Sequence, residues 1–265
     1  MEEIVSEVEW LVQQGVKEFQ VIAQDLSYYG KDLYGEFRLA ELIEKISDVP
    51  GVQWIRLHYA YPAKFPYDIL RVIRERDNVC NYLDIALQHV SDPVLQRMRR
   101  NVSSKETIEL IRRIRDEVPG IHLRTTLLTG FPGESEADFE ALMNFVKTMR
   151  FERMGAFPYS EEEGTYSALH YDDDIPFEVK QARVDQLMEI QQQISEELNR
   201  AKIGSVLRVI IDREEGDCYV GRTEFDSPEV DPEVLISKNK ILNIGEFYEV
   251  KIVDAEAFEL MGEVL

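Results

Sequence analysis

The sequence predicts an α/β protein: a partial TIM-like barrel followed by a small all-β barrel. Three observations carry this. Strand and helix patterns alternate over the first 160 residues with strands about 30 residues apart, as expected of parallel strands joined by helical crossovers. The series opens on a helix, whereas a βα series pairs each helix with the strand before it, so the barrel is expected to lack its first strand. From residue 205 the pattern turns to short strands with turn residues between them, which reads as a separate barrel-like module. The expected division is 1–202 and 203–265.

Each element has a local reason. Residues 3–14, EIVSEVEWLVQQ, place Ile4, Val8, Leu11 and Val12 on one helical face, and Gly15 ends the helix. FQVIA (19–23) is a short β-rich run, and LAELIEKI (39–46) is a helix stopped by Asp48-Val49-Pro50-Gly51. QWIRLHYAY (53–61) is a strand, ILRVIRER (69–76) a helix and YLDIALQH (82–89) a strand. SDPVLQRMRR and SSKETIELIRRIRDEV are helices. Ser91 is placed to cap the first, and Ser103 opens the second with Glu106 three places on. IHLRTTLLTG (121–130) is a strand, EADFEALMNFVKTM (136–149) a helix and RMGAFPYS (153–160) a strand. The acidic stretch 161–175 reads as a loop, and a long helix then runs from Pro176 to Gly204. VLRVIID, CYVGRTE, VLISKN and EFYEVKIVDA are the strands of the small module.

The composition narrows the function. With 265 residues and 44% apolar content the chain can bury a real core. No run approaches the roughly 18 apolar residues of a membrane span, and the acidic N-terminus is neither a secretory signal nor a transit peptide. The cytoplasm is the expected compartment. The two cysteines, Cys80 and Cys218, are too few and too far apart for a disulfide framework or a metal cage. A net charge of −21 does not suggest a grip on a phosphate backbone and is compatible with basic partners or simple solubility.

In a parallel α/β sheet, ligands bind at the carboxyl ends of the strands. Those ends read Ala23-Gln24-Asp25, His58-Tyr59-Ala60-Tyr61-Pro62, Leu87-Gln88-His89, Thr129-Gly130-Phe131-Pro132-Gly133-Glu134 and Tyr159-Ser160. Polar and aromatic residues gather at this one edge. The break GFPGE is neither a P-loop nor a dinucleotide-binding loop. Ser135 with Asp138 reads as a capping box, so the turn is accounted for structurally, while its glycines would also let the backbone approach a ligand. Alternation puts Arg124, Thr126, Leu128 and Gly130 on one face of their strand, where the arginine needs an anionic partner such as a cofactor carboxylate. None of the four histidines has metal-ligand spacing, and His89 is the best placed for function.

Six stretches, QDLSYYGKDLYGE, RLHYAYP, YLDIALQH, LRTTLLTGFPGESEADF, RMGAFPYSEEEGT and GRTEFDSPEVD, occur in one order and spacing over nearly the whole chain. Together they resemble the methylthiotransferases of the radical S-adenosylmethionine (SAM) superfamily, specifically the RimO type, which modifies an aspartate of ribosomal small-subunit protein twelve. The C-terminal module is similar to a TRAM domain, an OB-like barrel that docks substrate. The resemblance implies SAM as cofactor, with Gln24, Asp25, Gln88, Arg124, Thr126 and Gly130 facing it and Tyr61, His89, Phe157 and Tyr159 bordering the substrate. It also implies two [4Fe–4S] clusters. One is held by a C-x-x-x-C-x-x-C loop and the other by an N-terminal domain, and this sequence contains neither set of cysteines. The expectation is the C-terminal part of a longer enzyme, inactive alone, with no metal ligands of its own. Ala86 stands where the family usually has proline. Residues 203–265 carry six Lys/Arg against 15 Asp/Glu, a net −9. That suits a basic ribosomal protein better than the RNA modified by a sister group of transfer-RNA adenosine methylthiotransferases. A further alternative is a cluster-less module that only docks a basic ribosomal protein.

Overall fold

The computed structural model describes all residues, 1–265. Helix α1 (Glu2–Gln13) comes first. Then follow β1 (Glu18–Val21), α2 (Lys31–Tyr34), α3 (Leu39–Ser47), β2 (Trp54–Ala60), α4 (Asp68–Glu75), β3 (Val79–Ile85), α5 (Asp92–Arg97), α6 (Ser104–Glu117), β4 (His122–Thr129), α7 (Glu136–Met149) and β5 (Arg153–Pro158). The five strands are parallel and lie in sequential order, β1-β2-β3-β4-β5, as in a βα barrel, but the sheet is open because β1 and β5 do not pair. After α8 (Tyr166–His170), the long α9 (Phe177–Arg200) lies along β4, β5 and α7. The module of β6 (Val206–Glu215), β7 (Cys218–Thr223), β8 (Glu233–Ser237), β9 (Phe247–Ala255) and β10 (Glu259–Val264) forms a closed barrel in the order β10-β8-β7-β6-β9.

Alternation decides the two faces of the open sheet. Ile55, Leu57, Leu83, Ile85, Leu123 and Leu127 join one apolar core with Ile43, Leu70, Ile73, Ile111, Ile114, Phe139 and Leu142 of the helices. Each such side chain contributes roughly 1.5–3 kcal/mol by leaving water. The opposite, concave face carries Gln20, His58, Asp84, Arg124 and Thr126. Both expected capping boxes form, Ser103 with Glu106 and Ser135 with Asp138. Ser91 holds the N-cap position of α5 without a capping bond, because its hydroxyl donates to Asp138.

Several elements differ from the sequence reading for identifiable reasons. Strand β3 starts and ends earlier than 82–89. Ladder pairing stops at Ile85 and returns at Gln88, which has φ +66° and whose N–H and carbonyl bond to Thr126 and Leu128 of β4. The fifth strand of the module, β10, is weakly marked in the sequence because one of its inward positions, Gly262, carries no side chain. There the missing side chain makes room, since a β-carbon at Gly262 would lie 2.3 Å from Val250 Cγ1. The 161–175 stretch contains the short α8, capped by Thr165. Helix α9 stops at Arg200 rather than running to Gly204.

The module sits on the N-terminal ends of the sheet strands. Trp54, Cys80 and Tyr82 share a small apolar cluster with Ile210, and Phe247 packs edge-on to Trp54 at 4.8 Å. Around it lie buried ion pairs. Glu18 takes Arg56 at 3.2 Å and Arg222 at 2.8 Å, while Arg153 holds Asp226 at 2.5 Å. From α9, Ser195 and Asn199 donate to the Ala257 carbonyl. The module thereby closes one end of the sheet and leaves the carboxyl ends of the strands as the mouth.

Candidate functional site

The concave face and the module segment Ser227–Val230 line one cavity of about 540 Å³, together with Gln20, Ile22, His58, Tyr59, Asp84, Arg124, Thr126 and Phe157. Period-two alternation brings the polar residues here from β1, β2, β3 and β4. His58 Nε2 lies 2.6 Å from Gln20 Oε1, and its Nδ1 lies 3.8 Å from Asp84. Arg124 sits between two carboxylates, Asp84 at 3.8 Å and Asp231 of the module at 3.2 Å. Asp231 also accepts from the Tyr82 hydroxyl at 3.0 Å and the Ser227 N–H at 2.8 Å. Burial pushes the Asp231 carboxyl above its usual range, and the three donors favour its charged form. Arg124 thus has anionic partners within the chain while still lining the cavity.

The GFPGE turn is closed from inside. The Glu134 carboxylate accepts the Gly130 N–H at 2.7 Å and Arg183 of α9 at 2.8 Å. Burial raises its pKa against the pull of Arg183. Gly130, at φ +71°, lies under the Lys180 side chain, where a β-carbon would stand 2.2 Å from Lys180 Cγ. Its glycine accommodates α9, where the sequence left open a ligand's approach. Lys180 Nζ is fixed by both oxygens of Asp173 at 2.6 Å.

The expected site residues therefore separate. Arg124, Thr126 and Phe157 share the cavity. Gln88 is half-buried at the end of β3, and Gln24 is exposed after β1. Asp25 caps the turn Leu26–Tyr28 by accepting the Ser27 N–H at 3.0 Å. Tyr61 is half-buried beneath Arg100, whose guanidinium lies 4.6 Å from the ring centre. His89 and Tyr159 do not border an open surface. His89 has no exposure, and Tyr159 is 7% exposed with its ring 5.0 Å from Phe131. Gln20 and Asp84 lie inside β1 and β3 and so fall outside the strand-end residues, whereas His58 is among them. The signal for Gln20 and Asp84 was a polar residue at alternate positions inside apolar strands.

His89 gives a measurable consequence. Its Nδ1 accepts the Ser91 N–H at 3.0 Å, which an imidazolium cannot do, and burial pushes its pKa down to about 4. Glu134 lies 3.7 Å from Nε2 but is committed to Arg183 and Gly130, so the neutral ring prevails. An unfolded histidine titrates near ~6.5, so the unfolded state binds the extra proton, and the stability present above that pH is lost as pH falls toward 4. Between pH 7 and 5 this amounts to about 2 kcal/mol. Urea unfolding of His89→Asn, whose amide oxygen can still accept the Ser91 N–H, should show a pH slope smaller by that amount. Identical slopes would contradict the assignment.

Comparison with known proteins places this architecture. The family model for the radical SAM superfamily matches residues 1–146, and that for the TRAM domain matches 203–265. The chain belongs to the radical SAM superfamily. It is similar to proteins named ribosomal protein uS12 methylthiotransferase RimO, with 64% identity to that of Parabacteroides distasonis over 265 residues and 66% to that of Bacteroides thetaiotaomicron over 266. In both cases all of this chain aligns with 61% of the relative, so the chain spans about three-fifths of their length. Among solved structures, coproporphyrinogen III oxidase (HemN) from Escherichia coli, a radical SAM enzyme, shares the fold at a TM-score of 0.56. That match has 13% identity and covers 84% of this chain and 60% of that one. No helix is long and apolar enough to cross a membrane.

Proposed function

We propose that this chain is the barrel (1–202) and TRAM module (203–265) of an enzyme that methylthiolates the β-carbon of an aspartate in ribosomal protein uS12 by radical SAM chemistry. The observation that carries this reading is end-to-end identity above 60% with uS12 methylthiotransferases, module included. SAM, with its iron–sulfur cluster, supplies the removal of a hydrogen that no side-chain acid or base can abstract. The chain's own cysteines do not fit a cluster. Cys80 is buried, with its thiol pushed up to about 12 by that burial, Cys218 lies in the module, and no three His, Cys, Asp or Glu side chains gather to hold a metal. The ligands of both [4Fe–4S] clusters then lie outside these 265 residues, and the chain alone is inactive. The unpaired edge of β1, beside an apolar groove of about 760 Å³ between α1 and the 22–33 segment, is where a further strand would pair.

Within this reading Gln24, Gln88 and Thr126 face the cofactor, and Tyr61 and the 58%-exposed Phe157 border the substrate at the mouth. The sheet excludes water from one side of the reacting group and the module closes the far end. The acidic module, net −9 over residues 203–265, favours basic uS12 over transfer RNA, and a ribosomal substrate places the enzyme in the cytoplasm. The test is mass spectrometry of uS12 from cells lacking the full-length gene and from cells carrying it. One methylthio group should replace hydrogen on an aspartate only when the gene is present. Unmodified uS12 in both, or modification of transfer RNA instead, overturns the reading.

A further inference from the structure

The DSPEVD stretch (226–231) belongs to the module in sequence but to the barrel in space. It is pinned at both ends from the sheet. Asp226 is held by Arg153 of β5, and Asp231 by Arg124 of β4 and Tyr82 of β3. Between these pins, Ser227–Val230 line the cavity of about 540 Å³ opposite the concave face of the sheet. Glu229 sits at the centre of that span with φ +66°, a backbone state that costs a non-glycine residue about 1 kcal/mol or more and persists only where its surroundings hold it.

The charges of the cavity do not balance. Arg124 is taken up by Asp84 and Asp231, whereas the exposed Glu229 carboxylate has neither an ion pair nor a hydrogen bond within the chain. An unpaired carboxylate in a concave wall attracts a cation. A second, independent observation concerns Gln20 on the opposite wall. Its Nε2 is shielded from solvent and donates to nothing, and a shielded donor without an acceptor is costly. A ligand that satisfies both walls carries a carbonyl oxygen and a cationic group. A polypeptide with a basic side chain has both.

We propose that the Asp226–Asp231 segment is the floor of the barrel cavity and that Glu229 is a specificity-determining residue that accepts a guanidinium or ammonium side chain of a polypeptide. The proposal deepens the reading of a basic protein substrate and rests on it for the identity of the polypeptide. The module then does more than dock a partner from outside, because it contributes part of the wall the partner meets.

The test uses the 265-residue chain with two small probes, N-acetyl-arginine amide and its neutral isostere N-acetyl-citrulline amide, followed by calorimetry and by backbone NMR shifts at Gln20 and Val230. The arginine probe should bind about threefold to fivefold tighter than the citrulline probe, as a charge pair with an exposed carboxylate allows. Glu229→Gln should abolish that preference. Glu229→Gly should abolish it as well while relieving the left-handed backbone, so a loss of folding cannot imitate the result. Equal binding of the two probes, no binding of either, or a preference that survives in both variants overturns the proposal. Binding of uS12 is measured in parallel. Arginine preference without uS12 binding would keep the floor site and remove the ribosomal-protein reading.

Discussion

Replacing Asp226 by alanine is expected to cost about 3–5 kcal/mol, the range for removing one partner of a buried ion pair and leaving the other uncompensated. Asp226 has no exposure and accepts from Arg153 Nε at 3.0 Å and Nη2 at 2.5 Å as well as from the Thr223 hydroxyl. Arg153 is itself only 4% exposed, so after the substitution its guanidinium stays out of water with no carboxylate opposite. Because the pair joins β5 to the module, unfolding in urea should also lose cooperativity, the module letting go before the sheet. Replacing Asp226 and Arg153 together by apolar residues should recover much of the loss. The pH dependence has a definite sign. Burial disfavours the charged carboxylate, but Arg153, Lys202 and Thr223 outweigh it and hold the Asp226 pKa below the usual aspartate range. The stabilisation is therefore complete above the unfolded value of about 3.9 and is lost as pH falls through the lower folded value. The gap between wild type and Asp226→Ala should be constant from pH 7 to 5 and shrink below pH ~4. A variant within 1 kcal/mol of wild type at pH 7 would show that the pair is not what joins the two units.

How much of this was legible in the sequence depends on the range of the interaction. The βα series, both capping boxes and the change of pattern near 205 rest on contacts within a few residues, and periodicity carries them. The end of β3 falls earlier than the sequence pattern because the ladder lapses at Ala86 and Leu87 before the backbone turns left-handed at Gln88, with no neighbouring glycine to announce it. The site was only half legible. Of the strand-end residues His58 and Tyr59 line the cavity, and Thr126 and Phe157 reach it from within β4 and β5. What decides the role of Arg124, however, is Asp231, 107 positions away. Likewise, the burial of His89 and Tyr159 comes from residues of α7, α9 and the GFPGE turn. Such pairings leave no local pattern, and nothing within DSPEVD itself announces its partners on β3, β4 and β5.

The same distance effect decides what the GFPGE turn is for. Gly130→Ala is expected to destabilise the chain by about 2–5 kcal/mol: about 1–2 for an alanine held at positive φ and about 1–3 for overpacking. The overpacking part follows from Lys180, whose Cγ would lie 2.2 Å from the new β-carbon and whose Cβ and Cδ would lie at 2.9 Å. Lys180 cannot swing aside freely, because it is 2% exposed and its Nζ is gripped by Asp173. Gly133 is the internal comparison. It too has a positive φ, +78°, but its β-carbon would meet the tip of Arg97, at Nη1, 2.0 Å away. A flexible end can move, so Gly133→Ala should pay mainly the backbone part, about 1–2 kcal/mol. Shortening the obstructing side chain separates the two contributions. In a Lys180→Ala background, which removes the Cγ and Cδ contacts but keeps Cβ at 2.9 Å, Gly130→Ala should lose most of its overpacking cost, whereas the cost of Gly133→Ala should not change. If Gly130→Ala cost the same with and without Lys180, the glycine would not be there for α9, and a ligand's approach to the turn would again be the better explanation of the motif.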